Sequence, residues 1–370
     1  MAREEQAVAS SPWARLRWTV TVPVLGVLLL ATTWGSKPGS AVLVVVGVFL
    51  AGCVIAAVHH AEVVAHRVGE PFGSLVLAVA VTVIEVALIV TLMVTGDSDT
   101  DTLARDTVFA AVMITCSGIV GLSLVIGALR RHTADFNAEG SATALATVAT
   151  LATLTLVLPR FTTSTPGPEF SSAQLAFASV ASIALYALFV LVQTVRHRDY
   201  FLPVGAEADD PEQHADPPSD REALMSLALL LVALVAVVGL AKLESSPIES
   251  GVKSIGAPQS AVGVVIALLV LGPETLAAVR NARRDRMQTS LNLAYGSAIA
   301  SIGLTIPAIA VASIWLEGPL TLGLGSTQMV LLAITVVVGA LTVLPGRATL
   351  QEGGVHLVLF AAFVFLALRP

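Results

Sequence analysis

Apolar runs of at least about 17 residues, each long enough to cross a hydrocarbon core of about 30 Å, recur between charged or Pro/Gly-rich breaks and constrain this chain more than any motif does. They lie near residues 18–35, 40–60, 73–95, 107–129, 141–158, 171–195, 223–241, 255–279, 288–315, 327–345 and 353–369. Each crossing must satisfy its own backbone polar groups, so the expected fold is an all-α polytopic membrane protein of about eleven transmembrane helices. Composition agrees: of 370 residues, 55% are hydrophobic and 12% charged, about half the charged share of a soluble domain. Disordered, collagen-like and disulfide-scaffold classes are excluded on the same grounds. A net charge of −6 with no basic stripe excludes a nucleic-acid partner. Cys53 and Cys116 fall within apolar runs and read as small hydrophobes. The first run follows Arg15 and Arg17 in the manner of a signal peptide, but Ala31-Thr32-Thr33-Trp34 lacks a small-x-small cleavage pattern, so it is kept as a helix.

The Lys/Arg distribution orients the bundle, because short cytoplasmic loops hold the excess of positive charge. With the N-terminus inside, Arg3, Arg15, Arg17, Arg67, Arg130, Arg131, Arg196, Arg198, Arg221, Arg280, Arg283, Arg284, Arg286 and Arg347 are cytoplasmic, fourteen of the twenty Lys and Arg residues. The outer side receives Lys37, Arg105, Arg160, Lys242, Lys253 and Arg369, and the C-terminus. Between the sixth and seventh runs lies a hydrophilic segment, Asp199 to Glu222, with Asp209, Asp210, Glu212, Asp216 and Asp220 among Pro203, Pro211, Pro217 and Pro218. It reads first as a solvated cytoplasmic linker. Its carboxylates also suit a cation-sensing segment, although EF-hand spacing is missing.

Well inside the runs, only Glu85 in the third and Glu274 in the eighth are ionisable carboxylates. A charge near the bilayer centre costs about 2.5–3.5 kcal/mol on insertion scales, so it persists only with a partner, a proton or a function. Their surroundings match: Gly69-Glu70-Pro71 begins sixteen residues before Glu85, and Gly256-Ala257-Pro258 begins eighteen before Glu274. The chain therefore divides into an N-terminal tail and first helix (1–36), a first five-helix repeat (37–198), the acidic linker (199–222) and a second five-helix repeat (223–370). Five is odd, so the second unit enters from the opposite side. Such inverted repeats place a transporter's substrate site near the midplane, where the units meet.

Thr82, three residues before Glu85, shares its helix face and adds a neutral oxygen. Gly272-Pro273-Glu274 reads as a helix break followed by a new helix start, with Glu274 at the positive end of the helix dipole. Carboxylate, carbonyl and hydroxyl oxygens suit Ca²⁺ or Na⁺ and match Zn²⁺ or copper poorly. The ninth run adds Asn292, Gly296-Ser297, Ser301 and Thr305 before Pro307, and the fourth adds Thr115 and Ser117. Each of these is read equally as a ligand or as packing glue between helices.

These residues resemble the calcium/cation–proton antiporters of the cation/Ca²⁺ exchanger superfamily, in particular the bacterial sodium/calcium–proton group. The likeness is carried by Gly69-Glu70-Pro71-Phe72-Gly73-Ser74-Leu75 running to Val81-Thr82-Val83-Ile84-Glu85, and by Gly272-Pro273-Glu274 running to Gly296-Ser297. It implies one helix plus two inverted sets of five, an acidic inter-repeat segment, Glu85 and Glu274 as the paired cation- and proton-binding glutamates, and residence in a bacterial inner membrane. The chain departs where the better-known exchangers have Gly-Asn-x-x-Glu: Val81-Thr82 precedes Glu85, no Gly-Asn precedes Glu274, and Ser117 stands where an amide side chain is expected. The ion therefore stays open among Ca²⁺, Na⁺ and K⁺.

A different class is an intramembrane metalloenzyme. His59, Glu62 and His66 share a face at the cytoplasmic end of the second run, but HExxH is missing and such residues commonly decorate the interface. A serine hydrolase on Ser297 lacks a histidine base at membrane depth, and a passive channel would pass current without a proton gradient. The expected activity is secondary antiport, export of Ca²⁺ (with Na⁺ or K⁺ as alternatives) against H⁺, with inorganic cations and the bilayer as partners and no cofactor. The expected site is Glu85, Glu274, Thr82, Ser297, Gly272, Ser117, Ser301 and Asn292.

Overall fold

The computed structural model describes residues 12–36, 38–69, 72–95, 100–204, 218–315 and 318–370. Eleven helices lie where the apolar runs fall: α1 (Pro12–Thr33), α2 (Ser40–Val68), α3 (Phe72–Thr95), α4 (Leu103–Arg131), α5 (Ala138–Arg160), α6 (Ser172–Arg196), α7 (Asp220–Ser254), α8 (Ser260–Arg283), α9 (Met287–Ala312), α10 (Ser326–Val343) and α11 (Leu350–Leu368). Ten are long and apolar enough to cross a membrane, and α1 contributes the shorter apolar stretch Trp18–Thr33. Local signals fix several starts. Ser171 caps α6, Ser219 caps α7 and Thr349 caps α11, each in a reciprocal capping box with Gln174, Glu222 or Glu352.

Two layers of core hold the bundle. One joins α1, α2, α3, α7 and part of α8 through Val54, Ala57, Ile84, Ala236 and Ile266. The other joins α4, α5, α6, α9, α10 and α11 through Phe109, Leu151, Tyr186, Tyr295 and Phe363. Helices α3, α4, α8 and α9 meet between the two.

The connections repeat with opposite sense. The short strand β1 (Thr133–Asp135), between α4 and α5, pairs antiparallel with β2 (Arg347–Thr349), between α10 and α11, in the register Ala134 opposite Ala348. On the other face, Thr321 between α9 and α10 bridges Glu169 between α5 and α6. If α2–α6 is matched to α7–α11, these two pairings are counterparts. So are two close helix contacts. A Cβ on Gly121 of α4 would stand 2.8 Å from His356 Cβ of α11, and one on Gly303 of α9 would stand 3.0 Å from Tyr186 Cβ of α6. The first approach requires glycine, and the second is tight for any larger residue.

Three expectations are corrected. Helix α2 continues to Val68, past the sequence-based end near residue 60, and carries His59, Glu62 and His66 on its last turns as expected. Helix α7 runs on to Ser254, past the sequence-based end at 241 and through Pro247, and it carries Glu244 and Glu249 at 8% and 2% exposure. With Asp106 of α4 at 3% exposure, buried carboxylates in the helices outnumber the two expected. Asp106 is fully partnered: its Oδ1 accepts from Arg105 Nη2 at 2.8 Å, Arg105 Nε at 2.9 Å and Gln328 Nε2 at 3.1 Å, and its Oδ2 from Thr102 at 2.9 Å. Third, α8 is one helix from Ser260 to Arg283 with Pro273 inside it. The expected break at Gly272-Pro273-Glu274 is absent, because packing on both sides carries the helix across the one missing N–H donor. Glu274 is therefore mid-helix, away from any dipole end. Most of the acidic linker, including Asp209, Asp210, Glu212 and Asp216, lies outside the described residues, as do Glu70 and Pro71.

Candidate cation site

Glu85 is the fourteenth residue of α3 and Glu274 the fifteenth of α8, each about 20 Å along its helix at 1.5 Å per residue. Both therefore stand near mid-membrane depth. They line one cavity of about 500 Å³, bounded by α2, α3, α4, α6, α8 and α9, and each lies within electrostatic reach of the other. The wall runs from the carboxylates past Tyr186, Gln193, Ser297 and Asn292 to His66 and Gly69. Those last positions belong to the face that carries Arg67, Arg196 and Arg280. Among the described residues, no part of α3 beyond Glu85 or of α9 beyond Ser301 lines it, so along these two helices the cavity extends from the glutamates toward the arginine-rich face.

The two glutamates differ in their partners. Glu85, 4% exposed, accepts from Ser301 Oγ at 2.7 Å on Oε1 and from Thr305 Oγ1 at 2.8 Å on Oε2. Helix α9 widens from α to π hydrogen bonding over Ser301–Thr305, a local insertion common at functional sites. That widened turn supplies both hydroxyls to one carboxylate. Glu274 Oε2 is buried and accepts no hydrogen bond from the protein. Pro273, next to it, has no N–H, which leaves the Leu269 carbonyl without its usual helical donor. Oxygens of differing charge and availability thus converge where the helices cross.

Of the eight residues expected from sequence, six share this cavity: Glu85, Glu274, Thr82, Ser297, Ser301 and Asn292. The Asn292 amide is engaged, accepting from Gln288 Nε2 at 2.8 Å and donating to the Phe201 carbonyl at 2.7 Å. The other two stand elsewhere. Ser117 is buried behind the wall, 3.3 Å from Thr335 Oγ1 of α10. Gly272 is not on the wall, and a Cβ there would meet nothing within 4 Å. Thr305 does more than its sequence position revealed. Tyr186, Gln193 and His66 were missed as wall residues, although a glutamine in an apolar span was a legible signal.

A helical bundle with a cavity lined at mid-depth by two carboxylates is the build of an ion transporter. The family model "Sodium/calcium exchanger protein" matches residues 39–195 and 225–369, and this chain belongs to that family. It is an integral membrane transporter of the antiporter class, not an enzyme. It is 44% identical over 356 residues to a Sinorhizobium fredii protein named as an ionic transporter, y4hA, covering 95% of this chain and 96% of the other. It is 35% identical over 347 residues to the sodium-potassium/proton antiporter ChaA of Escherichia coli, covering 92% and 93%. The solved structure of native YfkE superposes with a TM-score of 0.70 at 16% identity, over 96% of this chain and 99% of that one, which is likeness of fold. The intramembrane metalloenzyme reading falls with the family. Among the described residues, moreover, no group of three or more His, Cys, Asp or Glu could hold a metal ion.

Proposed function

We propose that the protein exchanges a hard cation for protons at Glu85 and Glu274, with Ca²⁺ as the cation exported. The observation that carries this reading is the cavity lined by two carboxylates, buried Glu85 held by Ser301 and Thr305, and Glu274 with a buried oxygen that accepts no hydrogen bond from the protein. A divalent cation between two carboxylates balances their charge, and Thr82, Ser297 and Ser301 supply the neutral oxygens that such cations accept. Protons bind the same oxygens, so cation and proton exclude one another and exchange is coupled without a separate sensor. The pair titrates as a unit.

The Lys/Arg excess supports an orientation with the cavity open to the cytoplasm and the C-terminus outside, in a bacterial plasma membrane. The exchange cycle then loads a cytoplasmic cation, rocks the two five-helix units (37–198 and 223–370) about their interface, releases the ion outside and returns protonated. A second reading is Na⁺ or K⁺ exchange without Ca²⁺, favoured by the 35% identity to the sodium-potassium/proton antiporter ChaA. A retained proton on one glutamate would then balance the smaller charge.

The test is internal pH in proteoliposomes under an imposed proton gradient, as Ca²⁺, Na⁺ or K⁺ is added. Proton movement driven by Ca²⁺ is expected. A response to Na⁺ or K⁺ alone moves the reading to the second, and no cation-linked movement overturns both.

A further inference from the structure

His59, Glu62 and His66 on α2 have no part in the exchange cycle described so far. Ala65 and His66 line the cavity at its open end, and Glu62, three and four residues earlier, shares their helix face. Glu62 is exposed, and it lies within electrostatic reach of Arg280 and Glu274 on α8. Glu274 is six residues, about 9 Å, deeper along α8 than Arg280. A carboxylate thus stands beside the arginine-rich end of the cavity, one turn from its lining residues Ala65 and His66.

The second unit holds its counterpart. Helix α2 ends at Gly69 (φ 74°) and α7 just before Gly256 (φ 68°), a backbone conformation that favours glycine. In sequence each glycine opens a Gly-x-Pro triplet that leads into the helix bearing a midplane glutamate. Seven residues before Gly69 is Glu62, and seven residues before Gly256 is Glu249. Because α2 and α7 run in opposite directions, these matched carboxylates stand near opposite faces. Glu62 is exposed, one helical turn from the lining residues Ala65 and His66. Glu249 is 2% exposed, near the opposite face. One of the pair is exposed while the other is covered, the asymmetry expected of an inverted repeat captured in one of its two states.

We propose that Glu62 and Glu249 are paired loading carboxylates, one for each face, that concentrate the cation or proton at whichever mouth is open and pass it to Glu85 and Glu274. In this role Arg280 offsets the charge of Glu62 and keeps it from trapping the ion. The proposal rests on the exchange reading above.

The test uses full-length protein reconstituted in one orientation, with the cation presented from either side and the apparent KM of cation-linked proton flux measured from each. Glu62→Gln is expected to raise KM about tenfold from the arginine-rich face and leave KM from the other face as in wild type, the scale of one lost charge at partly solvated depth. Glu249→Gln is expected to do the reverse. Glu62→Asp should restore most of the affinity, and Arg280→Gln should lower KM from the arginine-rich face. Equal changes from both faces, or none, would overturn the pairing. So would an Arg280→Gln variant indistinguishable from wild type, a result that stands even where Glu62→Gln fails to assemble. Wild-type protein without cation-linked flux would instead overturn the exchange reading.

Discussion

Removing the Ser301 hydroxyl should weaken cation binding while leaving every charge in place. Ser301 Oγ donates to Glu85 Oε1 at 2.7 Å, and Thr305 Oγ1 donates to Oε2 at 2.8 Å, so together they fix the plane of a carboxylate only 4% exposed. A hydrogen bond to a charged group is worth about 1.5–3 kcal/mol net. At about 1.4 kcal/mol per tenfold, Ser301→Ala should raise the apparent KM for the cation by about 10- to 150-fold. Thr305→Val, which keeps the shape and removes the donor, should act in the same range. The double variant should fall short of the product, because both bonds end on one carboxylate and such neighbours are not additive. Ser117→Ala should change KM far less than Ser301→Ala, since Ser117 pairs with Thr335 away from the cavity. The assay is cation-dependent proton flux in proteoliposomes at several cation concentrations. Equal KM values for Ser301→Ala, Ser117→Ala and wild type would refute the reasoning.

Other expectations concern stability. Asp106→Ala removes the acceptor that Arg105, Thr102 and Gln328 share and leaves Arg105, 15% exposed, without its counter-charge. It should lower unfolding stability by about 3 kcal/mol or more, read from the denaturation midpoint in detergent. Gly121→Ala would place a methyl 2.8 Å from His356 Cβ and 3.0 Å from the Leu357 backbone nitrogen. It should cost about 1–3 kcal/mol, whereas Gly272→Ala, which meets nothing within 4 Å, should be neutral or stabilising by up to about 1 kcal/mol.

The helices were legible because hydrocarbon thickness leaves few alternatives to a run of apolar residues. Their ends were less so. Reading a charge as the edge of a span cut α7 at 241, although Glu244 and Glu249 are buried along its continuation against the rest of the bundle. The same rule hid Asp106, whose burial is made possible by Arg105 and Thr102 beside it and by Gln328 of α10, far away in sequence. Pro273 read as a break because the local rule ignores the neighbours that hold α8 straight. Scarcity singled out Glu85 and Glu274, which line one cavity, but not the buried carboxylates Asp106, Glu244 and Glu249. That Ser301 and Thr305 serve Glu85 rather than Glu274 was not legible, since it depends on a π-turn and on how α9 crosses α3. Ser117 looked equivalent to Ser297, yet α4 turns it toward α10.

The central claim is that Glu85 and Glu274 are the shared seat of cation and proton. Its most direct test is Ca²⁺-driven proton flux in proteoliposomes containing wild type, Glu85→Gln or Glu274→Gln at matched protein density. The account predicts flux in the wild type and its loss in both variants, with insertion intact. Proton-coupled transport retained in both single variants would contradict it.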